Sequence, residues 1–247
     1  MLKIILKVLN AAVDFLLALA LLAAGAFSGY ALWDNSRVYA DAAAVHTELM
    51  TCKPQSGAEA ASFEELRRIN PDVCAWITLD DTGIDYPVVQ GTDNLCYLNT
   101  DVYGDFSLAG SIYLDARCDG AFGGRYALLY GHHMENHGMF GDLDLYKDER
   151  FFAENTGGTL LLPDGAYSLT VFAVLLVPAG EQAVFAPQQW QEDVGGLLDF
   201  AERNAVQLRR SVSEQLHTSA APVRLLALST CAAEFTDART VVLASVD

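Results

Sequence analysis

Apolar and polar positions divide the chain into one leading apolar helix and a long series of short strand-like runs. Lys3 and Lys7 precede an uncharged stretch, residues 15–32, which is 18 residues long. That length predicts a membrane-spanning helix, and the lysines before it predict a cytoplasmic N-terminus. A cleaved signal peptide is the rival reading, since Val38-Tyr39-Ala40 has the small-residue look of a cleavage site. It lies well past the apolar run, so an uncleaved anchor is preferred, and in either case the remainder lies outside the cytoplasm. Residues 34–57 are polar and Ala-rich. A helix is expected over 39–50, broken by Lys53-Pro54-Gln55-Ser56-Gly57. Ser62-Phe63-Glu64-Glu65 is a capping-box pattern, predicting a short helix that runs to about Asn70 and is stopped by Pro71.

From residue 75 the signal is that of strands, short apolar runs bounded by turn residues. Runs at 75–79 and 85–89 flank the turn-like Asp80-Asp81-Thr82-Gly83, and further runs follow at 110–114 and 126–130. Residues 139–152 mix apolar and acidic positions and suit one or two short helices. Runs at 159–162 and 166–177 flank Pro163-Asp164-Gly165, a strong hairpin turn. Pro187 suits a helical first turn, and Trp190, Val194, Leu197, Leu198 and Ala201 recur at helical spacing, predicting a helix over 187–216. Gly195-Gly196 marks a place for it to bend. Runs at 223–228 and 240–245 complete eight strands, with the helix inserted before the seventh. Many short strands predict a mainly β barrel or sandwich.

Two of these strands end in reactive residues. The run Leu225-Leu226-Ala227-Leu228 leads into Ser229-Thr230-Cys231, and Arg239 opens the next strand eight residues later. In a hairpin the two side chains meet across the loop, and a guanidinium beside a thiol favours thiolate and can hold an oxyanion. A lone Cys at a strand end is more often a small buried hydrophobe, and Arg239 has Asp237 and Glu234 nearby as surface partners. Upstream, Tyr126-Ala127-Leu128-Leu129-Tyr130 ends in Gly131-His132-His133. A nucleophile, a proton carrier and an oxyanion stabiliser are what thiol acyl transfer needs. Neighbours in an extended segment point to opposite sides, so only one of the two histidines can face Cys231. A zinc reading exists for His133 and His137, four apart with Glu135 between them. Asn136 and Gly138 disfavour the helix it requires, and structural or solvated histidines are preferred.

These segments resemble the sortases, and within them class B. Ala227-Leu228-Ser229-Thr230-Cys231 departs from the family's Thr-Leu-x-Thr-Cys only at its first position. Tyr130-Gly131-His132 is similar to the class B histidine segment. Trp76-Ile77, Asp85-Tyr86-Pro87-Val88-Val89-Gln90, Asp93-Asn94 with Tyr97-Leu98, and Gly110-Ser111-Ile112-Tyr113-Leu114-Asp115 follow the family in order. The resemblance covers residue 60 to the end. It implies an eight-stranded sortase-type barrel over 61–247, with N-terminal helices and a helix before the seventh strand. A helical linker over 34–60 and a transmembrane anchor over 1–33 precede the barrel. It also implies Cys231 as nucleophile, His132 as acid/base and Arg239 as oxyanion stabiliser and substrate clamp, with Asn94, Leu98 and Ser229 near the substrate groove. Class B members often carry Asn where His133 stands and an acidic residue where Ala232 stands.

The activity implied is a membrane-anchored, single-pass cysteine transpeptidase with an extracellular catalytic domain. It would cleave a C-terminal sorting signal of secreted surface proteins, as in Gram-positive cells, through a thioacyl intermediate. An amine of a cell-wall precursor or a pilin then accepts the acyl group, with no cofactor and no metal. A non-enzymatic exported β-domain with a degenerate site, and a plain cysteine peptidase, are the alternatives. Composition narrows the partners further. A net charge of −17 makes nucleic acid an unfavourable partner, and 52% hydrophobic residues exclude wholesale disorder. Five cysteines leave an odd thiol in an exported protein, with Cys231 the candidate and Cys52, Cys74, Cys96 and Cys118 open to pairing.

Overall fold

The computed structural model describes residues 1–54 and 59–247. Positions 55–57 of the expected Lys53-to-Gly57 break lie outside the described residues. The chain divides into two compact units, Met1–Asp41 and Ala42–Asp247. The first unit belongs to α1 (Leu2–Met50), a continuous helix, so the separate helix expected at 39–50 is the continuation of the leading one. By length and composition α1 is able to cross a membrane, and its most apolar window is wholly unburied.

In the second unit, Leu49 at the end of α1 joins Phe63 and Leu66 of α2 (Glu59–Ile69) against Trp76 and Val73 of β1 (Val73–Leu79). Helix α2 starts before Ser62, which is therefore an interior helical position and not the expected cap. The remaining strands are β2 (Asp85–Val89), β3 (Ile112–Leu114), β4 (Tyr126–Tyr130), β5 (Gly157–Leu162), β6 (Gly165–Pro178), β7 (Ala205–Leu208), β8 (Leu225–Cys231) and β9 (Ala238–Val246), with the short helix α3 (Glu149–Glu154) between β4 and β5. They form one sheet in the order β5-β1-β2-β3-β4-β8-β9-β6-β7, and an added β5–β6 pairing closes eight of them into a barrel. Closure pairs most of the sheet edges that an open β structure would expose, leaving the part of β6 beyond Thr170 unpaired by β5. Most strands are buried along nearly their whole length, which explains why they read as continuous apolar runs instead of alternating ones.

The segment 187–216 departs from the single helix its spacing predicts. It holds a 3-10 turn (Pro187–Trp190), α5 (Gly195–Asn204), β7, and the start of α6 (Arg210–Thr218). Trp190 lies over Gly196, where a Cβ would come within 2.7 Å of the indole, and its Nε1 donates to Ala183 O at 2.8 Å. Beyond Asn204 the chain pairs with the free edge of β6, Ala173 opposite Leu208 and Val174 opposite Gln207. Arg209 fastens this exit by donating to Val171 O at 2.9 Å, Asn155 O at 3.1 Å and Phe152 O, with its guanidinium 4.2 Å from the Phe152 ring centre. The hydrogen-bonding groups of a sheet edge override local helical propensity here. The inserted helices still precede the seventh barrel strand, β8, as expected.

Candidate active site

Strand register builds the site. β4 and β8 run parallel with Tyr130 beside Ser229. Gly131 N donates to Ser229 O at 3.2 Å and Thr230 Oγ1 donates to Gly131 O at 2.9 Å. Two residues past that pair, His132 leaves β4 and Cys231 ends β8, so both emerge at the same end of neighbouring strands. On the other side β8 and β9 are antiparallel with Cys231 opposite Arg239, the cross-loop meeting expected of the hairpin. Cys231 thus sits on the central strand of three, with the histidine and the arginine on its flanks.

All six residues singled out in the sequence, Cys231, His132, Arg239, Asn94, Leu98 and Ser229, line one cleft of about 420 Å³. Cys231 is exposed, and among the described residues its thiol has no hydrogen-bond partner. His132 Nε2 lies 2.7 Å from Leu98 O. A carbonyl only accepts, so Nε2 carries the proton and Nδ1 is the ring nitrogen left to exchange one. Leu98 therefore contributes its backbone carbonyl. Arg239 Nη1 donates to Ala238 O at 2.9 Å. Among the described residues Arg239 pairs with no carboxylate, and Glu234, one of its expected surface partners, is taken by Lys147. The Ser229 hydroxyl is buried without a hydrogen-bond partner.

Asn94 has a different task from direct contact alone. Its Nδ2 donates to Asp115 Oδ2 at 2.9 Å and its Oδ1 accepts from Ala116 N at 2.8 Å. Asp115 is fully buried and also accepts from Tyr130 Oη at 2.9 Å and from Arg117 through Nε at 2.8 Å and Nη2 at 2.6 Å. Burial alone would raise the Asp115 carboxyl, but the hydrogen bonds from Arg117, Asn94 and Tyr130 outweigh it and hold the group below the usual Asp value. The hydrogen bond to Asp115 raises Arg117 in turn, so both stay charged. Arg117 Nη2 reaches across to Phe185 O at 2.8 Å, tying this cluster to α4 (Gln182–Phe185), whose Gln182 and Phe185 form the opposite wall of the cleft. Burial, with the Asp115 charge adding to it, pushes Tyr113 up to about 12, so it remains a neutral phenol beside the thiol.

Reading the sequence alone misses Arg117, Tyr130 and α4 as parts of the cleft, and Asp115 as the buried carboxylate that holds Arg117 and Tyr130. Asp115 and Arg117 carry a signal, an acid and a base two positions apart just past a strand. The four residues of α4 carry none. His133 points away from the cleft to Asp144, at 3.1 Å from Nε2, and His137 Nδ1 pairs with Asp142 at 2.5 Å. His137 has a left-handed backbone, φ 66°. The helix that would bring His133 and His137 to one metal ion is absent, and each histidine has its own carboxylate. All five cysteines are free thiols. Burial raises Cys74 to about 12 and Cys118 to about 11.

No family model matches the chain. A sortase B of Listeria monocytogenes is 33% identical over 142 residues, a stretch covering 57% of this chain and 57% of that protein. A Streptococcus pyogenes class B sortase, described as involved in pilus biogenesis, superposes with a TM-score of 0.67 at 33% identity, covering 75% of this chain and 97% of that one. The chain belongs to the class B sortases. A Staphylococcus aureus sortase B in complex with its substrate matches with a TM-score of 0.67 at 28% identity, over 82% of this chain and 91% of that one. The closed eight-stranded barrel is the sortase fold, and class B sortases are cysteine transpeptidases. In this sortase the cleft lies at the ends of β4, β8 and β9.

Proposed function

We propose that this protein is a membrane-anchored transpeptidase that cleaves the C-terminal sorting signal of secreted surface proteins and joins them to an amine of a cell-wall precursor or a pilin. The observation that carries the reading is the register of β4, β8 and β9, which sets Cys231 between His132 and Arg239 at the mouth of one cleft. The Cys231 thiolate attacks the scissile carbonyl carbon. The oxyanion that forms is held by the Arg239 guanidinium, which has no competing carboxylate among the described residues. Protonated His132 gives its Nδ1 proton to the leaving amine as the C–N bond breaks, leaving a thioester on Cys231. The acceptor amine loses a proton to His132 and attacks the thioester. The C–S bond breaks and the thiolate returns. Asn94, Leu98 and Ser229 line the groove that holds the peptide. The buried, unpartnered Ser229 hydroxyl supports a role in hydrogen-bonding the substrate. α1 serves as a single-pass anchor with a cytoplasmic N-terminus, set by Lys3 and Lys7, and the barrel is extracellular.

The test is capture of the thioacyl intermediate. The protein is incubated with a library of sorting-signal peptides, and adducts on Cys231 are identified by mass spectrometry. Products are then compared with and without an amine acceptor. The reading requires an adduct that disappears in Cys231→Ala and an aminolysis product that dominates over hydrolysis when amine is present. Turnover by Cys231→Ala, or hydrolysis alone at every amine concentration, overturns it.

A further inference from the structure

Behind the cleft a second set of charged groups joins the three strand ends that carry Cys231, His132 and Arg239. Asp144 lies on the 3-10 helix Gly141–Lys147. Its Oδ2 is 3.1 Å from Nε2 of His133, the residue next to His132. Its Oδ1 accepts from Thr240 Oγ1 at 2.8 Å, and Thr240 is the residue next to Arg239. Lys147 Nζ lies 3.0 Å from the same Oδ1 and pairs with Glu234, which stands in the loop between Cys231 and Arg239. Alternation of side chains along an extended chain explains the arrangement. His132 faces the cleft while His133 faces its back, and Arg239 faces the cleft while Thr240 faces the same back.

The segment carrying His132 is held to β8 through Gly131 and to Leu98 O through the imidazole, and Met139 N donates to Tyr86 Oη at 3.0 Å, but among these contacts only Asp144 joins it to the strand of Arg239. After β4 the chain doubles back through a single backbone bridge between His133 and Met139, with Phe140 N donating to His132 O at 3.0 Å. Gly141 is required at the close of that loop, since a Cβ there would sit 2.1 Å from Met134 O. Thr240 is fully buried, so the hydroxyl it gives to Asp144 has no water to turn to. Resting on the proposed catalytic roles of Cys231, His132 and Arg239, we propose that Asp144 is a positioning residue that sets the histidine loop and the arginine strand against Cys231 by binding His133 and Thr240 together. It touches no substrate. Lys147 extends the same hold to the Cys231–Arg239 loop through Glu234. Paired with Lys147, Glu234 has its carboxyl held low, chiefly by the hydrogen bond from that ammonium, and both partners stay charged.

Iodoacetamide is the probe, because it reads the environment of Cys231 without requiring the natural peptide. Alkylation of Cys231 in the full-length chain in detergent is followed by mass spectrometry at pH 7 and pH 10, beside thermal melting. His132→Ala and Arg239→Ala are the reference variants. If they leave alkylation at pH 7 unchanged, the catalytic reading itself is overturned. If they slow it and Asp144→Ala slows it about tenfold or more at pH 7, with recovery at pH 10, the positioning role stands. A purely structural role would lower the melting point without that pH-selective loss. Thr240→Val keeps the buried shape and removes only the hydroxyl, so it guards against misfolding of Asp144→Ala. His133→Leu removes the donor to Asp144, whereas His133→Gln keeps an N–H at the same reach and should restore the rate. Wild-type alkylation at pH 7 in folded Asp144→Ala, or in both Thr240→Val and His133→Leu, overturns the inference.

Discussion

Replacing Asp115 by Ala would test how the cleft is held open. The carboxylate is fully buried and accepts five hydrogen bonds: three from Arg117 (its own N, Nε and Nη2), one from Tyr130 and one from Asn94. The Arg117 side chain is 40% exposed, so when its partner is lost the guanidinium turns to water, and that pair contributes only about 0–1 kcal/mol. The Tyr130 hydroxyl, the Asn94 amide and the Arg117 backbone N–H lose a charged acceptor in a half-buried setting, at about 1–2 kcal/mol each. Relief of the buried carboxylate's desolvation offsets part of this, leaving about 3 kcal/mol. For a domain of this size that corresponds to a fall in Tm of about 6–12 °C. Arg117 also anchors Phe185 and with it the α4 wall, so KM for a captured sorting peptide should rise more than kcat falls. Because the folded Asp115 carboxyl is held below its ordinary value, its stabilisation is fully present above the unfolded value of about 4 and is lost as pH falls through the folded value. The gap in Tm between wild type and Asp115→Ala should therefore persist from pH 7 to pH 5 and close only in acid. Melting curves followed by circular dichroism across that range measure it. A loss of less than about 2 °C at pH 7 with unchanged KM would refute the argument.

Three shorter expectations follow from the same geometry. In the folded protein at pH 7 iodoacetamide should label Cys231 well ahead of Cys74 and Cys118, whose thiols burial holds at about 12 and 11, and peptide mapping that finds Cys74 labelled first would contradict this. His132→Ala should lower kcat/KM by about 10²–10⁴-fold while His133→Asn is mild, and Arg239→Lys should also be costly because an ammonium lacks the planar fork. Equal damage from His133→Asn and His132→Ala would move the site to His133. A chain starting near Ser36 keeps the residues from Ala42 that belong to the barrel unit, so it should stay soluble and active on peptides without detergent, and loss of folding on that truncation would count against α1 as a dispensable anchor.

Local pattern was enough for much of this protein. The apolar helix followed from an uncharged run long enough to need no partner for its backbone groups. Seven of the strands were legible as short apolar runs, because a closed barrel buries them on both faces; the eighth, β3, was placed within the 110–114 run but begins only at Ile112. The hairpin of Cys231 and Arg239 was legible because a short loop fixes which residues face each other. What local pattern could not carry depends on groups distant in sequence. The parallel pairing of β4 with β8, 99 positions apart, puts His132 beside Cys231, and no property of either segment alone specifies that register. The same holds for Asp115, whose burial makes an ordinary acidic residue the hub of a cleft wall, and for Asp144, which joins His133 and Thr240. Residues 205–208 read as helix until the free edge of β6 offers them hydrogen bonds. Propensity and periodicity act within a few residues, whereas register, burial and edge pairing are set by the whole barrel once it closes.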